Sequence, residues 1–281
     1  MRAPHLTRSL VAAAACLAAC TSEEATAPPA DAPGYHTDIA PLLERSCAGC
    51  HAEGGIGPFV FSDYASAKAM SGLIAASVTS RRMPPWMPDP ACRSYTDQRR
   101  LSDADVALVA AWHAAGAPEG NAAPAAVRPA ADAEPMLPPA TLALQAEAPY
   151  LPTAERPADY RCLPLTHTFE RDVYLTRSRV VPGARAQVHH VLLYVIGPQF
   201  AAQVEAVDAA SPGPGYTCFG GPGVGVPETI GAWVPGSVPT TAPDGAAIRI
   251  PAGSRLVMQM HYNTANSAPV PDQSQVELWL T

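Results

Sequence analysis

The chain has 281 residues, 48% of them hydrophobic and 15% charged, with 32 prolines and a formal net charge of -7. That length allows one or two domains, and the proline content excludes a helical bundle. The negative balance excludes nucleic acid and other polyanions as partners.

At the N-terminus, Arg2 and Arg8 precede the apolar run Leu10 to Leu17. The run is too short to span a bilayer as a helix and reads as a signal peptide over 1–20. It ends in Leu17-Ala18-Ala19-Cys20, which resembles the bacterial lipobox and implies that Cys20 is lipidated and begins the mature protein. Cleavage of an ordinary signal near Ala25 is the alternative. Residues 21–34, rich in Pro and Ala, read as a flexible tether. No later segment is long and apolar enough to cross a bilayer. The expectation is an exported protein of the bacterial periplasm or cell surface, held to its membrane by lipid alone.

Residues 35–119 have the size of a small all-α cytochrome c domain. Ile39, Leu42 and Leu43 recur at helical spacing and predict a helix over Tyr35–Ser46 that leads into Cys47-Ala48-Gly49-Cys50-His51. Two thiols at this spacing followed by an imidazole form the attachment pattern of a covalent c-type haem, with Cys47 and Cys50 on the vinyl groups and His51 on the iron. Half of a zinc site or a chance disulfide is the competing reading, but no second Cys/His pair lies nearby. A final helix is predicted from Leu101 to Trp112, with Ser102 as N-cap, Asp105 at the capping-box position, and Gly116 and Pro118 as stops. Between the two, Met83-Pro84-Pro85-Trp86-Met87-Pro88 resembles the loop that presents the distal methionine in class I-type cytochromes c, which points to Met83 as second axial ligand and Met87 as alternative. Met70 reads as packing, and His36 and His113 as surface histidines.

Residues 120–157 read as a Pro/Ala-rich linker, and residues 158–281 as a second domain rich in short strand patterns, so that the whole is a multidomain chain. Val188-His189-His190-Val191-Leu192-Leu193-Tyr194 is a buried strand carrying two imidazoles. Because successive side chains on a strand point to opposite faces, both reach one ion only at a strand end or twisted edge, with a third ligand from a neighbour. His261, on the strand Arg255–Asn263, is a candidate third. Three imidazoles without a thiolate suit copper or zinc. Copper fits a redox chain better, since no carboxylate stands beside the three residues to act as a hydrolytic base.

Taken in order, Tyr160-x-Cys162, the His189-His190 strand, Tyr216-x-Cys218 and Gln259-Met260-His261-Tyr262 resemble the N-terminal half of the copper type II, ascorbate-dependent monooxygenases, the family of peptidylglycine α-hydroxylating monooxygenase and dopamine β-monooxygenase. The likeness spans Asp159 to Thr281 and implies an antiparallel β-sandwich, jelly-roll-like, for residues 158–281, with which the strand-rich pattern agrees. It implies that His189, His190 and His261 hold an electron-storing copper. The family hydroxylates at a second copper, held in a following domain by a His-x-His pair and a methionine, which this sequence does not carry. His167 lacks that motif. The expectation is therefore either part of a copper-dependent monooxygenase or a haem- and copper-binding electron relay, with a periplasmic electron donor and no assigned substrate or catalytic residue. On either reading the haem on the same chain passes electrons to the copper in place of a diffusing reductant. Of the remaining cysteines, Cys162 and Cys218 could bridge within the sandwich, and Cys92 has no assigned role.

Overall fold

The computed structural model describes residues 29, 31–95, 98–121 and 137–281. The signal peptide, Cys20, most of the tether and the middle of the linker lie outside the described residues.

A π-helical turn, Tyr35–Ile39, runs directly into α1 (Ala40–Ser46), whose second residue is Pro41, a position where the missing N–H costs nothing. Next come α2 (Tyr64–Ala69), opened by a capping box between Asp63 and Ser66, and α3 (Ser71–Thr79). The last helix of this part, α4 (Asp103–Ala114), starts where the sequence predicts. The Ser102 hydroxyl accepts from the Asp105 N–H at 3.0 Å, while the Asp105 carboxylate accepts from the Ser102 N–H at 3.3 Å. It ends before Gly116, whose φ of +81° only glycine adopts without strain. Ile39, Leu42, Val78, Val109 and Trp112 form an apolar cluster that shares no residue with the cores of the sheets. An Arg45–Asp105 ion pair at 2.5 Å ties α1 to α4.

The rest is antiparallel β-structure. Its strands are β1 (Leu142–Gln145), β2 (Ala158–Pro164), β3 (Val173–Val181), β4 (Val188–Ile196), β5 (Tyr216–Thr217), β6 (Glu228–Trp233), β7 (Thr240–Thr241), β8 (Ile248–Ile250), β9 (Arg255–Asn263) and β10 (Gln275–Leu280), with α5 (Ala201–Ala209) after β4. One sheet runs β1-β10-β3, with β7 and β8 sharing the far edge of β3; the other runs β5-β2-β9-β4-β6. Leu175, Val180, Val276 and Leu278 of the first sheet meet Leu163, Val191, Leu193, Met258 and Met260 of the second in one buried cluster, which makes the pair a β-sandwich. The sheets close up where β6 crosses β3. A Cβ on Gly231 would stand 2.8 Å from the Ser178 hydroxyl, so a side chain there has no room.

β9 is buried on both faces from Leu256 to Tyr262, which explains why apolar residues dominate it, with only the polar Gln259 and His261 among them. Its inner face meets the other sheet. Its outer face is covered by Val204 of α5, Tyr216 and the Cys162–Cys218 disulfide.

One boundary differs from the sequence reading. β1 lies inside the 120–157 stretch expected to be linker, yet it pairs with β10 from Leu142↔Leu278 to Gln145↔Gln275, and Tyr150 bridges to Asp272. The sandwich therefore starts well before residue 158. Leu142 and Leu144 pack on its core, and four residues among Pro and Ala are too few to display an alternation.

Candidate metal centre

β9 delivers His261 and β4 delivers His189 and His190. In the ladder between them Val188 pairs with Tyr262, and the next pair is His190 with His261, so His189 is an extra residue: a β-bulge. A bulge breaks the alternation of faces, and here it brings two consecutive imidazoles to the same place. The Nδ1 atoms of His189 and His190 are 3.3 Å apart, as are those of His190 and His261. Nitrogens bound to one metal at about 2.0 Å are separated by about 3.3–3.5 Å in trigonal or tetrahedral arrangements. The three rings meet edge to face, at interplanar angles of 60–67°.

Burial and the two neighbouring imidazoles depress the basicity of His261, to a pKa of about 4, and burial next to His189 lowers that of His190. Both rings are thus neutral at physiological pH, with lone pairs free for a metal. His261 is the most fixed of the three. Its Nε2 is buried with no hydrogen-bond partner, which leaves Nδ1 as the nitrogen presented to the other two. Its ring lies flat on Tyr160, the residue paired with it on β2, and Tyr160 in turn meets Phe219 edge-on at 4.9 Å. Phe219 follows Cys218, and Cys162, bonded to Cys218, stands two residues beyond Tyr160 on the same face of β2. The disulfide therefore fixes the aromatic wall behind His261. The expected Cys162–Cys218 bridge is present. Neutral, converging imidazoles held by aromatic packing fit a copper ion.

The second expected centre lies in the helical part. A tight turn after α1, with the Cys50 and His51 N–H groups donating to the Cys47 carbonyl at 3.1 and 2.9 Å, gathers the two thiols and the imidazole. His51 Nδ1 is 2.9 Å from the Phe59 carbonyl, and its ring stacks on Phe61 at 4.8 Å. A hydrogen bond at Nδ1 fixes the tautomer and leaves Nε2 as the ligand atom. Cys47 and Cys50 are free thiols rather than a disulfide. Burial, reinforced by Cys50, pushes the Cys47 thiol up to about 11, and burial raises Cys50.

The large apolar side chains left exposed in the described helical part are Phe59, Val60, Leu73, Met83, Met87 and Tyr95, all within the stretch that follows the Cys-x-x-Cys-His turn. Met83 is 42% exposed and Met87 95%, so Met83 is the more enclosed of the two. The competing imidazoles are engaged elsewhere: His36 pairs with Glu119 at 3.2 Å, and His113 Nδ1 lies 3.1 Å from the Ser71 hydroxyl. The residues present fit a covalent haem.

Cys92 is a free, exposed thiol, and the His167 ring packs edge-on against Phe169. A cavity of about 510 Å³, walled by Leu163, Val204, Glu205, Asp208 and Arg255 among others, includes none of the candidate ligands. Phe219 is a residue beside the cluster that the sequence reading did not name, and Tyr160 entered that reading only through the Tyr160-x-Cys162 pattern, with no role at the site. Among the described residues no helix is long and apolar enough to cross a membrane. No protein-family model matches the chain, and no curated protein matches it.

Proposed function

We propose that the chain is a haem- and copper-binding redox protein, part or relative of a copper-dependent monooxygenase. The observation that carries the reading is the convergence of His189, His190 and His261, whose ligand nitrogens all lie within 4.8 Å of one another, with Nδ1 separations of 3.3 Å for His189–His190 and His190–His261. Copper bound there supplies one-electron chemistry, cycling between its two oxidation states. The protein residues supply the rest. The bulge sets His189 beside His190, Tyr160 and Phe219 hold His261, and burial favours the neutral form of the His190 and His261 rings. Cys47 and Cys50 would attach the haem covalently, and His51, through Nε2, and Met83 would hold its iron. Export and a lipid anchor at Cys20 belong to the same reading, and with them a periplasmic protein as electron donor.

The test is to produce the full chain in a host that attaches haem c, and to measure haem by its pyridine haemochrome and copper by elemental analysis on one sample. Both groups are expected, in equal amounts. His261→Ala should lose copper and keep haem, and the Cys47→Ser/Cys50→Ser double variant the reverse. A chain that takes up neither would overturn the proposal. Oxygen-dependent hydroxylation by the loaded protein separates the monooxygenase from an electron relay that binds both groups without turning over a substrate.

A further inference from the structure

The helical part and the sandwich touch at the haem-attachment turn itself. Cys50 Sγ lies 3.8 Å from the Pro235 carbonyl oxygen, and Arg99 donates to the same oxygen at 2.6 Å. Gly49 meets Gly236 so closely that a Cβ on Gly49 would stand 2.9 Å from the Gly236 Cα. Gly236 has a φ of +77°, and its own Cβ would meet the Arg99 guanidinium at 3.2 Å. Two glycines at one contact let the backbones approach without side chains between them. Next to it, Glu53 and Gly54 face Gly183–Gln187 and Val270 across a cleft of about 370 Å³.

Both sandwich segments in this contact lead to the three-histidine site. Gln187 is two residues before His189. Pro235 is two residues after Trp233, which pairs with Val191, the neighbour of His190. The chain of atoms from Cys50 is therefore short. It crosses to the Pro235 carbonyl, follows two residues of backbone to Trp233, crosses one rung of the β6–β4 ladder to Val191, and reaches His190 one residue on. Once the sulfur is alkylated it has no S–H to donate, and Arg99 remains as the donor that holds the Pro235 carbonyl in place.

We infer that the contact of Gly49, Cys50 and Arg99 with the turn at Pro235 and Gly236 is the built-in electron-entry surface of the copper site. The inference rests on the haem-and-copper reading above and adds a location to it. One electron passes from ferrous haem iron to Cu(II), giving ferric iron and Cu(I), with no bond made or broken, and a one-electron donor protein restores the haem. The contact makes the transfer intramolecular and independent of protein concentration.

The experiment uses the full chain loaded with haem and copper. Starting from the fully oxidised protein, the haem is reduced by a sub-stoichiometric flash of photoreductant under anaerobic conditions and its reoxidation by the bound Cu(II) followed optically, in the wild type, Arg99→Ala and Gly49→Val. Pulsed EPR of the oxidised proteins reads the spread of iron-to-copper distances independently of any turnover. Arg99→Ala lies outside the attachment motif, so it stands alone if Gly49→Val impairs haem attachment. The expected result is a concentration-independent rate that falls tenfold or more in the variants, with a narrow distance distribution in the wild type and a broad one in the variants. Equal rates and equal distributions in all three, or a wild-type rate that scales with concentration, would overturn the entry surface while leaving the haem-copper reading intact. Failure of wild-type haem to reoxidise at all would overturn that reading as well.

Discussion

Tyr160 and His261 occupy directly paired positions on β2 and β9, and their rings are stacked, centroids 4.1 Å apart and planes within 4° of parallel. The tyrosine meets the imidazole with the face of its ring, so on the copper proposal the ring, and not the hydroxyl, is the part expected to matter. Tyr160→Phe is expected to bind copper as the wild type does. Tyr160→Leu should weaken binding by about tenfold, the low end of what losing a residue that orients a metal ligand costs. Titration against a competing chelator measures both. Equal weakening by Phe and Leu would show that the hydroxyl matters and the stacking does not.

The disulfide joins residues 56 apart in sequence, and a loop of that length implies about 4 kcal/mol of stabilisation from restricting the unfolded chain. The Cys162→Ala/Cys218→Ala variant should lose an amount of this order in denaturant melts. Because the bridge also fixes Phe219 against Tyr160, its copper affinity should fall too. A loss of stability with unchanged affinity would separate the two roles.

Asp105 connects the stability of the helical part to pH. Its carboxyl is held below its usual range, first by the Ser102 hydroxyl and further by the Ser102 N–H and Arg45. A depressed carboxyl contributes stability that is fully present above its unfolded pKa of about 4 and is lost as pH falls through the lower folded value. Asp105→Asn should therefore cost about 1 kcal/mol at neutral pH, the size of a helix cap, with the difference from wild type shrinking below about pH 4. A constant difference across that range would mean that shape, and not charge, is what the residue contributes.

For the haem, Met83→Ala should lower the midpoint potential and abolish the spectroscopic signature of sulfur ligation, while Met87→Ala leaves both unchanged. The opposite pattern would assign the ligand to Met87. His51→Ala should remove the proximal nitrogen in either case.

What could be read from the sequence, and what could not, follows from how local each feature is. The capping box at Ser102 and Asp105, the stop at Gly116, and the paired histidines on a buried strand are written in adjacent residues, and all stand where they were expected. The way the two histidines come together was not legible, because a bulge is defined by the partner strand, and the register of β9 leaves no mark on β4. β1 was hidden for a related reason: Leu142 and Leu144 become strand residues only because β10 lies beside them. Least legible was the meeting of Gly49 with Gly236, since a contact made of bare backbone has no side-chain pattern to announce it.

The bulge at His189 makes the three-histidine cluster depend on parity. β4 holds one residue more than the stretch of β9 opposite it, and that surplus turns two neighbours from opposite faces to a common one. Deleting Val188 would remove the surplus while Val191 to Ile196 kept their partners, so the strand would still fold and still carry both histidines, now facing apart. Substitution scanning, which changes what each residue is but never how many there are, would pass over this dependence entirely. In this strand the gain or loss of a single codon, with every ligand retained, is enough to make or abolish the site.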